Sequence, residues 1–187
     1  MNNNAIENIF IINLSRRTDL LNKIKYIFNF IKEQHPNINI KRIDGIDLKE
    51  KQQENPFLFN GLLTNAVISL NASGLRNTKD GVLGEIGCYL SHKNCWETVI
   101  SNKLNNTLIL EDGIIFNTLN FSSNITINQN YFDYDIIFCN KEMNVTQTIL
   151  TGYGLQGYIL SYNGANKLVE YCNQMHLPID LQIRNIC

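Results

Sequence analysis

The chain has 187 residues, and 16 Lys+Arg against 17 Asp+Glu leave a formal net charge of −1. That length suits one domain spanning 1–187, and 44% hydrophobic residues can build its core without staples. The near-neutral balance gives no electrostatic reason to expect nucleic acid as a partner, and no apolar run approaches the ~18–20 residues of a membrane span.

Ile9-Phe10-Ile11-Ile12 is a continuous apolar run that predicts a buried parallel strand ending at Asn13. Leu20, Leu21, Ile24, Ile27, Phe28 and Ile31 then recur at three- and four-residue spacings, which predicts an amphipathic helix over 18–34. Ile38, Ile40 and Ile43 lead into a second strand that stops at the Asp44-Gly45 turn, completing a βαβ unit. Residues 49–79 read as a long irregular loop with helical fragments. A long helix is expected from Val82 to about Lys103, then a third strand over Leu108-Ile109-Leu110 ending in Glu111-Asp112-Gly113. Asp135 to Cys139 and Tyr158-Ile159-Leu160 predict two more strands, and 163–175 a last helix closed by Pro178. Alternating strands and helices imply an α/β layered, Rossmann-type domain with a mostly parallel central sheet.

The start, Met1-Asn2-Asn3-Asn4, lacks the cationic opening of a signal peptide. Cys88, Cys95, Cys139, Cys172 and Cys187 form neither a paired framework nor a metal spacing. Free thiols in a reducing, cytoplasmic setting are therefore the expectation. The 29 Asn and 26 Ile are both encoded by A/T-rich codons, which points to a low-GC genome, viral or microbial.

In open α/β sheets ligands bind beyond the carboxyl ends of the strands, so three polar strand ends carry the candidate chemistry. Arg16 and Arg17 follow the first strand just before a helix, a place that suits anions, although solvated surface charges have the same pattern. Asp44-Gly45 is by default a turn. Glu111-Asp112 is sharper, because carboxylates at the end of a buried strand are costly unless they meet a cation or hydrogen-bond donors. Other patterns carry less. Gly152-Tyr153-Gly154-Leu155-Gln156-Gly157 spells a dinucleotide fingerprint, but a strand follows it where a helix is required. Asp133-Tyr134-Asp135 sits at the start of a strand, the wrong edge of a parallel sheet. Ser91 and His92, adjacent on a helix, diverge by about 100° and do not face one another. Trp96, Cys88 and Cys95 read as core.

Seven blocks carry a resemblance: IFIINLSRRTDLL (9–21), RIDGID (42–47), GEIGCYLSHKNCWETVI (84–100), LILED (108–112), DIIFC (135–139), GYILSYNGANKL (157–168) and LPID (177–180). In this order they resemble glycosyltransferase family 25, which holds bacterial lipooligosaccharide galactosyltransferases and procollagen galactosyltransferases. The resemblance implies a GT-A-like fold and transfer of galactose or glucose, with inversion, from a nucleotide sugar such as a UDP-sugar to an acceptor hydroxyl on a glycan or glycoprotein. It implies that Asn13, Leu14, Asp44 and Gly45 hold the nucleoside, with Arg16 and Arg17 beside them. Glu111 and Asp112 would face a divalent cation, Mn²⁺ or Mg²⁺, and the donor diphosphate. Glu85, Ser91 and His92 would line the sugar and acceptor cleft with Asp180 across it, leaving Asp112, Glu85 and Asp180 as the candidate catalytic carboxylates. Family members usually show Glu-Asp-Asp where this chain has Glu111-Asp112-Gly113, so a relative that binds nucleotide or carbohydrate without transfer stays open as the alternative.

Overall fold

Every residue of β1 (Asn8–Asn13) is buried, as a continuous apolar run requires of a strand covered on both faces. The computed structural model of the protein describes residues 6–54, 79–113, 134–138 and 155–185. β1 leads through α1 (Thr18–Gln34) to β2 (Asn39–Asp44), the strand-helix-strand unit expected from the periodicity, and α1 turns Ile24, Ile27 and Ile31 inward. α2 (Leu48–Glu54) opens the irregular segment, of which 55–78 lie outside the described residues. The remaining elements are α3 (Lys79–Ser101), β3 (Thr107–Glu111), β4 (Ile136–Phe138), β5 (Gly157–Leu160), α4 (Tyr162–Tyr171) and α5 (Ile179–Arg184).

The five strands form one sheet in the order β2-β1-β3-β5-β4. β1 is parallel to both β2 and β3, with Ile12 opposite Ile43 on one side and Glu111 on the other. The carboxyl ends of these three strands therefore share one edge. β5 departs from the parallel expectation, running antiparallel to both β3 and β4. Parallel neighbours need a long crossover, usually a helix, whereas antiparallel neighbours do not; the sequence predicts no helix between β4 and β5. The reversal brings the amino end of β5 to the edge where β3 ends, and the Glu111 N–H donates to the Gln156 carbonyl at 3.0 Å.

Two helix ends also differ from expectation. α3 closes at Ser101 because Lys103 turns left-handed (φ 52) and the Leu104 N–H donates back to the Val99 carbonyl at 2.9 Å. The last predicted helix stops at Tyr171, and Pro178 caps the start of α5 instead of ending α4. Buried Gln182 of α5 makes that turn possible. Its Nε2 donates to the Gln174 carbonyl at 2.8 Å and its Oε1 accepts from the His176 N–H at 3.0 Å.

Strand alternation divides the core in two. Ile9, Ile11, Leu108 and Leu110 pack with Ile24, Ile27 and Ile31 of α1. On the other face Phe10, Ile12, Ile109 and Tyr158 pack with Trp96 of α3, Leu168 of α4 and Ile183 of α5. The result is a helix-sheet-helix sandwich, and each such buried side chain contributes about 1.5–3 kcal/mol.

Candidate functional site

A cleft of about 280 Å³ opens beyond the carboxyl ends of β1 and β3. Leu14 and Arg16 line it after β1, Asp47 and Leu48 where α2 begins, Cys88 and His92 along α3, and Glu111 and Asp112 from β3.

α3 reaches this edge because Gly87 has no side chain: a Cβ there would run into the carbonyl oxygen of Ile46. Ser91 fastens the same approach. Its Oγ accepts from the Ile46 N–H at 2.8 Å and donates to the Gly87 carbonyl at 2.6 Å. Ser91 thus ties α3 to the turn after β2 while also bordering the cleft. Asp47, the last residue of RIDGID, accepts from the backbone N–H groups of Lys49 (3.1 Å) and Glu50 (3.3 Å) and pairs with the Arg16 guanidinium. Burial works against its charge, but the Arg16 hydrogen bond, the two amides and the Arg16 charge outweigh it, so its pKa lies below the usual carboxylate value. Sequence reasoning did not single out Asp47. An aspartate directly before a helix is a readable capping signal.

Asn13 and Asp112 meet at the neighbouring ends of β1 and β3, where Asn13 Nδ2 donates to Asp112 Oδ2 at 2.9 Å. Asn13 is 1% exposed, and Arg42 Nε donates to its Oδ1 at 2.9 Å. The Arg42 guanidinium also pairs with Asp44 at 2.5 Å. Asp44 itself points outward and does not line the cleft, while the Gly45 N–H donates to the Asn13 carbonyl at 2.9 Å.

Glu111 shares strand parity with Ile109 and so faces α3. Its Oε1 lies 3.2 Å from His92 Nε2 and 3.7 Å from Cys88 Sγ. His92 Nδ1 lies 2.9 Å from the Tyr158 hydroxyl, to which Trp96 Nε1 donates at 2.8 Å. The Cys88, His92 and Glu111 ligand atoms all lie within 4.8 Å of one another, a spacing that could hold a metal ion. Burial, then the negative charges of Glu111 and Glu85, push the Cys88 thiol well up. Cys88, expected in the core, is only partly buried and borders the cleft, whereas Cys95 and Trp96 are core. The partner of His92, Tyr158, carried no local signal, since it stands 66 residues away on a strand read only for its apolar pattern.

The other candidates fall around this centre. Arg17 forms a two-point pair with Asp19 at 2.9 Å on the surface and does not line the cleft. Glu85 on α3 and Asp180 in the first turn of α5 stand outside the cleft walls, yet both charges act on Cys88. Asp135 begins the β4 side at the opposite sheet edge and pairs with Lys167 at 2.5 Å. Asp133, Gly152 and Gly154 lie outside the described residues, as do Cys139 and Cys187. No described helix is long and apolar enough to cross a membrane.

Residues 6–134 match the model of glycosyltransferase family 25 (LPS biosynthesis protein). A glycosyltransferase 25 family member of Drosophila melanogaster is 29% identical over 187 residues, covering 88% of this chain and 28% of its own. Procollagen galactosyltransferase 2 of Homo sapiens is 28% identical over 189 residues with the same coverage. A Bos taurus relative described as a probable inactive glycosyltransferase 25 family member 3 is 24% identical over 205 residues, covering 94% of this chain and 31% of its own. The chain thus spans less than a third of the length of these relatives. With the family model matched from just before β1 to just before β4, the chain belongs to glycosyltransferase family 25.

Proposed function

We propose that this domain transfers a hexose, galactose or glucose, from a nucleotide sugar to an acceptor hydroxyl on a glycan or collagen-like protein, with inversion, in a GT-A-like setting. The observation that carries this reading is that Glu111 and Asp112, the latter held by buried Asn13, line one cleft beyond two parallel strands, in a chain of this family. We take a UDP-sugar as the donor, as the resemblance implies, and the relatives named procollagen galactosyltransferases motivate the acceptor.

Glu111 and Asp112, which both line the cleft, are the residues we assign to a divalent cation. Glu111 and Asp112 offer hard oxygens, and each gives only one of its two oxygens to the hydrogen bonds described above. These two residues would hold Mn²⁺ or Mg²⁺, which when bound neutralises charge on a departing diphosphate. The chain's own groups do the rest. Arg42 and Asn13 hold Asp112 in place, Arg16 and Asp47 shape the cleft wall, and Leu14 offers an apolar surface beside it. An acceptor hydroxyl needs a base, for which we put forward Asp112 in the cleft, with Glu85 and Asp180, outside its walls but acting through charge on Cys88, as the further candidates.

A binding-only relative is the second reading, favoured by Gly113 and by the bovine relative described as inactive. Thermal melts with UDP, UDP-galactose and UDP-glucose, with and without Mn²⁺, test the first reading. Ligand at about 100 Kd should raise stability by roughly 2.7 kcal/mol. Stabilisation accompanied by donor hydrolysis supports transfer, stabilisation without turnover supports the second reading, and no shift with any nucleotide at millimolar concentration removes the transfer reading and leaves the second only as a carbohydrate binder.

A further inference from the structure

Trp96 Nε1 can only donate, and it donates to the Tyr158 oxygen at 2.8 Å. Tyr158 is fully buried, its hydroxyl has one hydrogen, and His92 Nδ1 lies 2.9 Å away. A proton on Nδ1 would make His92 a second donor to that oxygen and leave the hydroxyl hydrogen without an acceptor among the described residues, an arrangement folded proteins avoid for buried groups. The reverse arrangement satisfies every atom: the Tyr158 O–H donates to Nδ1, and Nε2–H donates to Glu111 Oε1 at 3.2 Å. Burial pushes the Tyr158 pKa well up, so the hydroxyl keeps its hydrogen.

We propose that Trp96 and Tyr158 hold His92 with Nδ1 as acceptor and Nε2–H as a fixed donor that positions Glu111 at the mouth of the cleft. Tyr158 and Trp96 are positioning residues that act through His92, and His92 is neither a base nor a metal ligand in this state. The Cys88, His92 and Glu111 atoms have the spacing of a metal site, but coordination through Nε2 would require its proton to move to Nδ1, against the Tyr158 hydrogen bond. The tautomer stands on the hydrogen-bond geometry and the burial of Tyr158; only the use to which Glu111 is put rests on the transferase reading.

Two-bond ¹⁵N–¹H correlation spectra of the labelled protein near neutral pH read the tautomer, with His92→Gln assigning the signals among the three histidines. The expected spectrum has Nε2 protonated and Nδ1 bare. A protonated Nδ1, alone or together with Nε2, overturns the proposal. Tyr158→Phe should move the Nδ1 signal toward that of a lone pair without a donor; if that variant does not fold, the wild-type spectrum decides. Cd²⁺ added to the wild type should give no thiolate charge-transfer band, and a band that Cys88→Ser abolishes overturns the proposal. For the positioning role, glutamine keeps a donor that phenylalanine lacks, so His92→Gln should retain at least about tenfold more affinity for UDP with Mn²⁺ than His92→Phe. Equal losses overturn that role. A wild type that binds no nucleotide overturns the transferase reading and the part Glu111 plays in it, while the His92 spectrum still decides the tautomer.

Discussion

Asp112→Asn separates charge from packing at the centre of the cleft. Arg42 Nε donates to Asn13 Oδ1, so the Asn13 amide has one orientation and Nδ2 faces position 112. An asparagine there presents its carbonyl oxygen to Nδ2 and keeps a hydrogen bond. Its own NH₂ then takes the place of the second Asp112 oxygen. Exchanging a charged acceptor for a neutral one lowers the worth of the bond from about 1.5–3 to about 0.5–1.5 kcal/mol, a loss near 1 kcal/mol. In a chain of this size that lowers Tm by about 2–4 °C. The functional effect is much larger, because an oxygen suited to a cation has become an N–H donor that repels one. Mn²⁺-supported donor turnover should fall at least about a hundredfold. Asp112→Ala gives the contrast: it leaves Asn13 Nδ2, on a residue 1% exposed, without its acceptor at a cost of about 1–3 kcal/mol. Melting curves and UDP-hexose turnover for the three proteins form the assay. An asparagine variant that melts as low as the alanine variant, or that keeps its turnover, refutes the reasoning.

Gly113→Asp should fold normally, because a Cβ there meets nothing within 4 Å and its φ lies outside the left-handed region. Calorimetric titration should then show Mn²⁺ binding tightened about tenfold without nucleotide and by less with UDP, and equal Mn²⁺ affinity in both proteins would remove Gly113 as the weak point. Gly87→Ala should destabilise by about 1–3 kcal/mol, since its methyl meets the Ile46 carbonyl and backbone must move; a wild-type melt argues against so close an approach of α3. Asp47 has a folded pKa below its unfolded value, so its pairing stabilises the protein above the ordinary carboxylate range near pH ~4 and is lost as pH falls through the lower folded value. The urea-midpoint difference between wild type and Asp47→Asn should accordingly hold steady at neutral pH and shrink in acid, and a difference independent of pH speaks against the Arg16–Asp47 account.

Periodicity and punctuation made much of the frame readable. The run Ile9–Ile12, the spacing of Ile24, Ile27 and Ile31, and the stop at Asp44-Gly45 identify β1, α1 and β2, because each reports which side of a local element avoids water. The polar residues after β1 and β3 are equally visible, and parallel pairing puts Asn13 and Asp112 within reach of each other. Capping at Asp47 was readable in principle from its place before α2.

The direction of β5 was not readable, nor were the partners of Glu111. A strand of four residues has the same apolar pattern whichever way it runs, so orientation awaits the neighbours that pair with it. Asn13 and Asp112 are 99 residues apart, and His92 and Tyr158 are 66 apart. Local propensity carries no term for such distances. Residue type alone determined that this chain builds a layered α/β domain with carboxylates at a strand end. Tertiary structure alone decided which atoms those carboxylates face, because that follows from sheet order, register and the close passage of α3 over Gly87, each fixed only when distant segments exclude water together.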